Sequence, residues 1–509
     1  MHWFLSISIA LLVVIVSCDD GGESPAATAV TTPTPESAAT NSALAALPPP
    51  PEIEWRSCGG PFECADFPVP LDYRLRDGEE IELSLVRLPA GDSSKRIGSL
   101  FVNPGGPGGS AVDFMRAWVV SLSKDVRDRF DVIAFDPRGV GASTPLDCNF
   151  NIQDILRLEP SPDDDSEWEQ VVRVTEDFTA ACARGAGAAL SQYGTDNVAR
   201  DMDRIRQALG EDKLNYLGYS YGTSIGQIYA SLFPQNVRAM VLDGVVDMSL
   251  SADQSSLEQT LGFEAALQRY FTSCRASRCF AVDPEAAVRD LLTRTQTAPI
   301  PSRNNERSLT ESEALWGIIG SLYSRLQWPG LSGAINSALN GDGTAMIRLV
   351  DRFWGRGPDG EYDNLLEMNV AVNCLDNDVS RDIDHHKQLP ARFGEQAPIF
   401  GPSLATGYLV CALWDTQPRP VQPAPASGLP PVLLIGNTGD AATPLKWAMA
   451  VNRQMPSSVL ITNDQEGHTA FGQGDSCIDR AVEAYLIDLK LPAAGTRCGS
   501  AGIQPAPVP

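Results

Sequence analysis

From Glu80 to Leu88 (EIELSLVRL) apolar and polar residues alternate, the two-residue period of a half-buried strand. Two shorter apolar runs follow, Gly98 to Val102 and Phe130 to Phe135, each ending in a glycine-rich loop, NPGGPGGS and DPRGVGAS. The period changes between Asn197 and Leu209, where Val198, Met202, Ile205 and Leu209 fall on one face of a helix. A strand-like run, Lys213 to Tyr216, then leads into a helix-like stretch, Ser224 to Ala230, and Val237 to Leu242 reads as another strand. Further on, Val432 to Ile435 and Ser458 to Thr462 predict two more buried strands, with helices after them at Leu445 to Met455 and Ile478 to Leu489. Strands alternating with helices predict a mainly parallel sheet covered on both faces, because parallel neighbours need crossovers that pack back onto the sheet.

Between Met248 and Pro420 the strand rhythm stops. Leu257 to Tyr270, Glu311 to Leu326 and Ala345 to Trp354 carry helical spacing instead. A helical block between two halves of a parallel sheet is best explained as an insertion over the sheet's carboxyl edge, where ligands bind in open α/β folds. The expected organisation is a core in two parts, residues 52–247 and 421–500, with a helical cap at 248–420 inserted after the strand that follows the serine turn described below. Residues 19–51, rich in Ala, Thr, Ser and Pro, read as a disordered tether, and 501–509 as a flexible tail.

The first 18 residues change the picture of where the protein works. Trp3 to Ser17 is an uncharged apolar stretch of signal-peptide length, preceded only by His2, and it ends Ile15-Val16-Ser17-Cys18. That ending resembles a bacterial lipobox, which predicts lipidation at Cys18 and a cell-envelope lipoprotein, with simple secretion as the other outcome. Of eleven cysteines, removing Cys18 leaves ten, an even number suited to an oxidising compartment. Spacing suggests pairing of neighbours: Cys58 with Cys64, Cys148 with Cys182, Cys274 with Cys279, Cys374 with Cys411, and Cys477 with Cys498. A net charge of −25 argues against nucleic acid as a partner, since phosphate binding needs clustered Lys and Arg. Neither a metal site nor an organic cofactor is indicated, as no His, Cys and carboxylate cluster has ligand spacing. Contact with a membrane is expected only through a lipid at Cys18.

Candidate chemistry centres on Gly218-Tyr219-Ser220-Tyr221-Gly222, a Gly-x-Ser-x-Gly lying between a predicted strand and a predicted helix. In that context the turn lifts a serine hydroxyl to the sheet's carboxyl edge. A serine hydroxyl is a poor nucleophile without a histidine base and an orienting carboxylate. Of four histidines, His2 lies in the leader, while His385 and His386 fall in a charged stretch of the inserted block and are expected to be exposed. His468 remains, in a loop after the last buried strand. Two acids follow strand ends, Asp440 and Asp243; Asp440 is preferred because it gives the chain order Ser, Asp, His. For an oxyanion hole, the N–H of Tyr221 is one donor and Gly106, in NPGGPGGS, the other. The DPRGVGAS loop reads as an architectural turn. Trp328, Trp354 and Trp414 are candidates for a pocket lining or for core.

Together, NPGGPGGS (103–110), FDPRGVGAS (135–143), LNYLGYSYGT (214–223), GNTGDAATP (436–444) and EGHTAF (466–471) resemble the α/β-hydrolase superfamily. Within it they are similar to the exported tripeptidyl aminopeptidase group, relatives of proline iminopeptidases, over roughly Glu52 to Cys498. The resemblance implies an α/β-hydrolase fold under a helical cap, and a serine peptidase or esterase with an acyl-enzyme on Ser220, proton transfer by His468 and orientation by Asp440. It also implies release of short, tripeptide-like pieces from free N-termini, although lipoprotein relatives with this layout are described as serine proteases or carboxylesterases. An aminopeptidase needs a carboxylate for the substrate's ammonium group, and Asp376, in a Cys-x-Asp segment like that of the family, is the candidate. The expected partners are therefore peptide or ester substrates.

Overall fold

The computed structural model describes residues 47–303, 307–424 and 427–499. The apolar leader, Cys18 and most of the tether and tail lie outside them. Strands β1 (Arg56–Ser57), β2 (Glu63–Pro70), β3 (Glu80–Leu88), β4 (Gly98–Asn103), β5 (Phe130–Phe135), β6 (Leu214–Tyr219) and β7 (Val237–Asp243) form the first part of one sheet. A two-stranded hairpin, β8 (Ile300–Pro301) with β9 (Ser308–Leu309), stands apart, and β10 (Leu433–Gly439), β11 (Val459–Glu466) and β12 (Arg497–Cys498) complete the sheet. Its order is β1-β2-β3-β5-β4-β6-β7-β10-β11-β12, antiparallel from β1 through the β3–β5 pair and parallel from there on.

The parallel strands β4, β5 and β6 are buried at every position, which is why they read as continuous apolar runs rather than alternating ones. Helices Ala111–Trp118 and Ser476–Asp488 bury their apolar residues in a cluster with Leu100, Val132 and Val241 on one face of the sheet. Thr195–Ala208 and Tyr221–Leu232 pack with Phe101, Ile133 and Met240 on the other. This is the doubly covered, mostly parallel sheet of an α/β-hydrolase fold, and the five cysteine pairs read from spacing are all disulfides. Five disulfides mark an extracytoplasmic protein.

β7 and β10 are neighbours in the sheet although residues 244–432 intervene. Apart from the β8–β9 hairpin, the regular elements in that stretch are helices, among them Ala252–Ser277, Glu311–Leu322, Thr344–Phe353, Leu365–Asp376 and Ile383–Gly394. Their own core gathers Phe263, Leu267, Ile318 and Leu331. Here one expectation is corrected: His386 is fully buried, because it shares the inward face of Ile383–Gly394 with Leu389 and Phe393, and one of its ring nitrogens bonds the Ser380 carbonyl (2.8 Å). A second helical segment, Asp165–Ala186, precedes β6 and was not anticipated from periodicity.

Candidate active site

β6 ends at Tyr219 and a helix begins at Tyr221, which leaves Ser220 as the turn between them. Its backbone sits at φ 55°, ψ −125°, a region L residues rarely enter. Main-chain bonds hold it there. The Ser220 N–H donates to the Asp243 carbonyl (2.9 Å), and the Ser220 carbonyl accepts from the N–H (2.8 Å) and hydroxyl (2.6 Å) of Thr223. Glycine on both sides is required by contact: a Cβ on Gly218 would lie 2.4 Å from the Gly222 carbonyl oxygen, and one on Gly222 2.7 Å from that of Asn103.

Asp440 follows β10 and His468 follows β11, and the parallel pairing of these strands brings both residues to one edge. The His468 Nδ1 lies 2.9 and 3.0 Å from the two Asp440 oxygens. That carboxylate also accepts from the N–H groups of Ala442 (2.9 Å) and Thr443 (2.8 Å) and from the Thr443 hydroxyl (3.0 Å), so its orientation is fixed. Asn437 secures the histidine loop, donating to the carbonyls of Gly467 (2.8 Å) and Thr469 (2.6 Å). Burial by itself would lower the proton affinity of His468, but attraction and hydrogen bonding to Asp440, with a smaller contribution from Asp243, leave it above the usual histidine value. The other nitrogen, Nε2, is buried and hydrogen-bonds to no atom among the described residues.

Asp243 takes a different place. It is fully buried, and its carboxylate accepts the N–H groups of Ala470 and Phe471 rather than the imidazole. The NPGGPGGS loop lies directly on the serine turn: a Cβ on Gly105 would meet the Tyr221 nitrogen at 2.8 Å and the Ser220 Cβ at 2.9 Å. Gly106 follows at φ 118°.

Asp376, half-buried at the end of Leu365–Asp376, accepts the N–H of Thr195 (3.1 Å) and its hydroxyl, and that hydroxyl bonds the Tyr221 phenol (2.6 Å). Burial pushes the Asp376 carboxyl up to about 7, against the Thr195 bonds and Arg419 and with help from Asp196. Trp328, Trp354 and Trp414 are 6%, 8% and 1% exposed and belong to the core. So does the DPRGVGAS loop's Arg138, which is buried against Asp201 and the carbonyls of Pro70, Leu71 and Gln192. Among the described residues the one grouping close enough to hold a metal, Asp475, Cys477 and Cys498, has its two sulfurs joined as a disulfide.

Sequence reasoning missed the residues that the inserted helices send to this edge. Arg269 donates to Glu466 (2.7 Å) and to the Gly439 carbonyl (3.1 Å), Gln259 donates to the Ala442 carbonyl (2.8 Å), and the Tyr323 carbonyl accepts the His468 N–H (2.8 Å). No local pattern could have announced them. Thr443 and Asn437, by contrast, stood in view inside GNTGDAATP.

Comparison with known proteins places the chain in a family. Residues 98–296 match the alpha/beta hydrolase fold family, and residues 397–498 the family described as TAP-like protein. Serine protease Hip1 of Mycobacterium tuberculosis is 38% identical over 475 residues, 88% of this chain and 91% of that protein. Carboxylesterase B of the same species is 35% identical over 455 residues, 86% of each chain. Tripeptidyl aminopeptidase of Streptomyces lividans is 30% identical over 476 residues, 88% of this chain and 86% of that protein. The chain belongs to the TAP-like family of α/β-hydrolases and is a serine hydrolase.

Proposed function

We propose that this hydrolase is an exported aminopeptidase that releases short, tripeptide-like pieces from free N-termini. The observation that carries the reading is the chain Asp376–Thr195–Tyr221, which holds a carboxylate two hydrogen bonds from the residue after Ser220. A half-buried carboxylate at that distance suits a substrate ammonium group, which would favour its charged form. In the proposed reaction His468 Nε2 takes the Ser220 proton as Oγ bonds to the scissile carbonyl carbon. The N–H groups of Tyr221 and Gly106 stabilise the oxyanion. The C–N bond then breaks as the imidazolium protonates the leaving amine, and water hydrolyses the acyl-enzyme by the same steps in reverse roles. Asp440 keeps the Nδ1 proton in place and stabilises the imidazolium. Residues 248–420 act as the cap over this site.

The test compares a tripeptide amide with its N-acetylated form. Loss of turnover on acetylation supports the aminopeptidase, and Asp376→Asn is expected to raise KM about tenfold for the free amine alone. Equal turnover of both, with faster cleavage of short p-nitrophenyl esters, would move the assignment to a carboxylesterase using the same three residues, the reading favoured by the 35% identical carboxylesterase. The lipobox-like Ile15–Cys18 and the five disulfides support export with a lipid on Cys18. Cys18→Ser is expected to release the protein from the membrane fraction.

A further inference from the structure

Asp243 closes β7 and is completely buried, yet it carries no partner of opposite charge within bonding distance among the described residues. Its main-chain carbonyl accepts the Ser220 N–H (2.9 Å). Its side chain accepts from Ala470 (2.9 and 3.1 Å) and Phe471 (2.8 Å), the second and third residues after His468. The next residue, Gly244, lies under the imidazole: a Cβ there would come within 3.0 Å of His468 Cε1 and 3.1 Å of the Thr443 hydroxyl, and the Gly244 N–H donates to the Ile435 carbonyl on β10 (3.1 Å). One residue pair thus touches the nucleophile turn, the histidine loop and the strand that leads to Asp440.

We propose that Asp243 is a positioning residue of this site, a second carboxylate that ties the His468 loop to the Ser220 turn and places a negative charge beneath the imidazole. The inference rests on the serine-hydrolase reading of Ser220 and His468. A neutral side chain of similar size could satisfy amide donors, whereas burying a carboxylate is expensive; its presence where a cation forms during the proposed reaction points to an electrostatic part in it. The charged or titratable groups around the imidazole are Asp440 and Asp243, with the Tyr323 phenol beside the ring and the Arg269–Glu466 pair at the loop's edge. Burial pushes the Asp243 carboxyl up to about 7, while the Phe471 and Ala470 amides and His468 draw it down and Asp440 pushes it up. Each of Asp243 and His468 bears on the other's ionisation, so the two titrate as a coupled pair.

Asp243→Asn keeps the size and one acceptor and removes the charge. With the active fraction counted by a fluorophosphonate probe, kcat per labelled site is expected to fall about tenfold with KM unchanged within about twofold. The acid limb of kcat/KM is expected to move down by roughly half a pH unit or more, because the lost charge had favoured the imidazolium. A variant with lowered Tm but an unchanged kcat per site and an unchanged acid limb would reduce Asp243 to a structural anchor and overturn the proposal. If the variant does not fold, the unaltered protein labelled with 15N-alanine and 15N-phenylalanine gives the answer. The Ala470 and Phe471 amide signals should follow the His468 ring through its titration, and signals that stay flat overturn the proposal. Failure of the unaltered protein to label at Ser220 would instead remove the catalytic reading itself.

Discussion

The main-chain N–H of His468 donates to the carbonyl of Tyr323 at 2.8 Å, and the two rings meet at 90° with centroids 5.4 Å apart. Tyr323 ends the helix Glu311–Leu322, so a residue of the inserted helices holds the histidine from outside the sheet domain. Arg269 and Gln259, from the helix Ala252–Ser277, grip the ends of β11 and β10 and the loop that carries Asp440 in the same way. These helices are built into the site's geometry.

That arrangement makes the Tyr323 ring a test of its own. Tyr323→Ala keeps the carbonyl bond to His468 and deletes the wall against which the imidazole stands. A ring displaced by a fraction of an ångström transfers protons poorly, so kcat is expected to drop about tenfold while KM moves little. The measurement is steady-state kinetics on one substrate, normalised to probe-labelled protein. Unaltered kcat would show that Asp440 and Asn437 alone hold the imidazole.

The raised proton affinity of His468 fixes the direction of the pH dependence. In the proposed mechanism a protonated imidazole cannot accept the serine proton, so activity is expected to rise with pH through the histidine's ionisation. Because Asp440 holds that ionisation above the ordinary value of about 6.5, the acid limb of kcat/KM is expected above that pH. Asp440→Asn removes the charge and presents the wrong partner to Nδ1, and on the order of 10³–10⁴ in kcat should be lost. For stability the sign runs the other way. A group whose folded-state pKa is raised stabilises the fold fully below its unfolded value, and loses that contribution as pH rises through the folded one. Guanidinium denaturation at pH 6 and pH 8 should therefore show the Asp440→Asn penalty shrinking at the higher pH.

Thr443 offers a finer probe. Its hydroxyl donates to Asp440 (3.0 Å) and lies 3.3 Å from His468 Nδ1, while its N–H caps the same carboxylate. Thr443→Val keeps the shape and the N–H and removes only the hydroxyl. The loss of one such bond, about 1 kcal/mol, corresponds to roughly a fivefold fall in kcat. Thr443→Ser, which keeps the hydroxyl, should restore most of it. A valine variant with full activity would show that the two amides are enough.

The fold was legible where burial wrote a simple pattern. β4, β5 and β6 are covered on both faces, and their continuous apolar runs end in the loops that matter. β2 was hidden because Pro68 and Pro70 break a strand signal, tolerable near the sheet's antiparallel edge. Asp165–Ala186 was legible in principle, since Trp168, Val171, Thr175, Phe178 and Cys182 recur at helical spacing along its buried face, yet it was passed over among its many charged neighbours. In the site, scarcity of histidine led to His468, and chain order favoured Asp440. The grip of Tyr323, Arg269 and Gln259 was not legible, since each reaches its partner across more than a hundred residues and carries no motif. His386 misled for the opposite reason: charged neighbours in sequence say nothing about which face of a helix turns inward.

Gly105 and Gly330 make the sharpest pair of predictions, because one chemical change meets opposite surroundings. At Gly105, φ is +95°, and a Cβ would lie 2.6 Å from the Tyr219 carbonyl oxygen, 2.8 Å from the Tyr221 nitrogen and 2.9 Å from the Ser220 Cβ. All three atoms belong to the serine turn, so the strain of Gly105→Ala falls on the proposed oxyanion loop and the proposed nucleophile together. A shift of about 1 Å there is expected to slow fluorophosphonate labelling by roughly 10² or more. At Gly330, inside the helix Trp328–Leu339, a Cβ meets nothing within 4 Å. Gly330→Ala should leave labelling unchanged and raise stability by up to about 1 kcal/mol through helix propensity. Labelling rate and Tm measured on both variants separate the two effects. Normal labelling by the Gly105 variant would mean that the NPGGPGGS loop can move off the serine turn without harm, and so takes no part in holding the oxyanion.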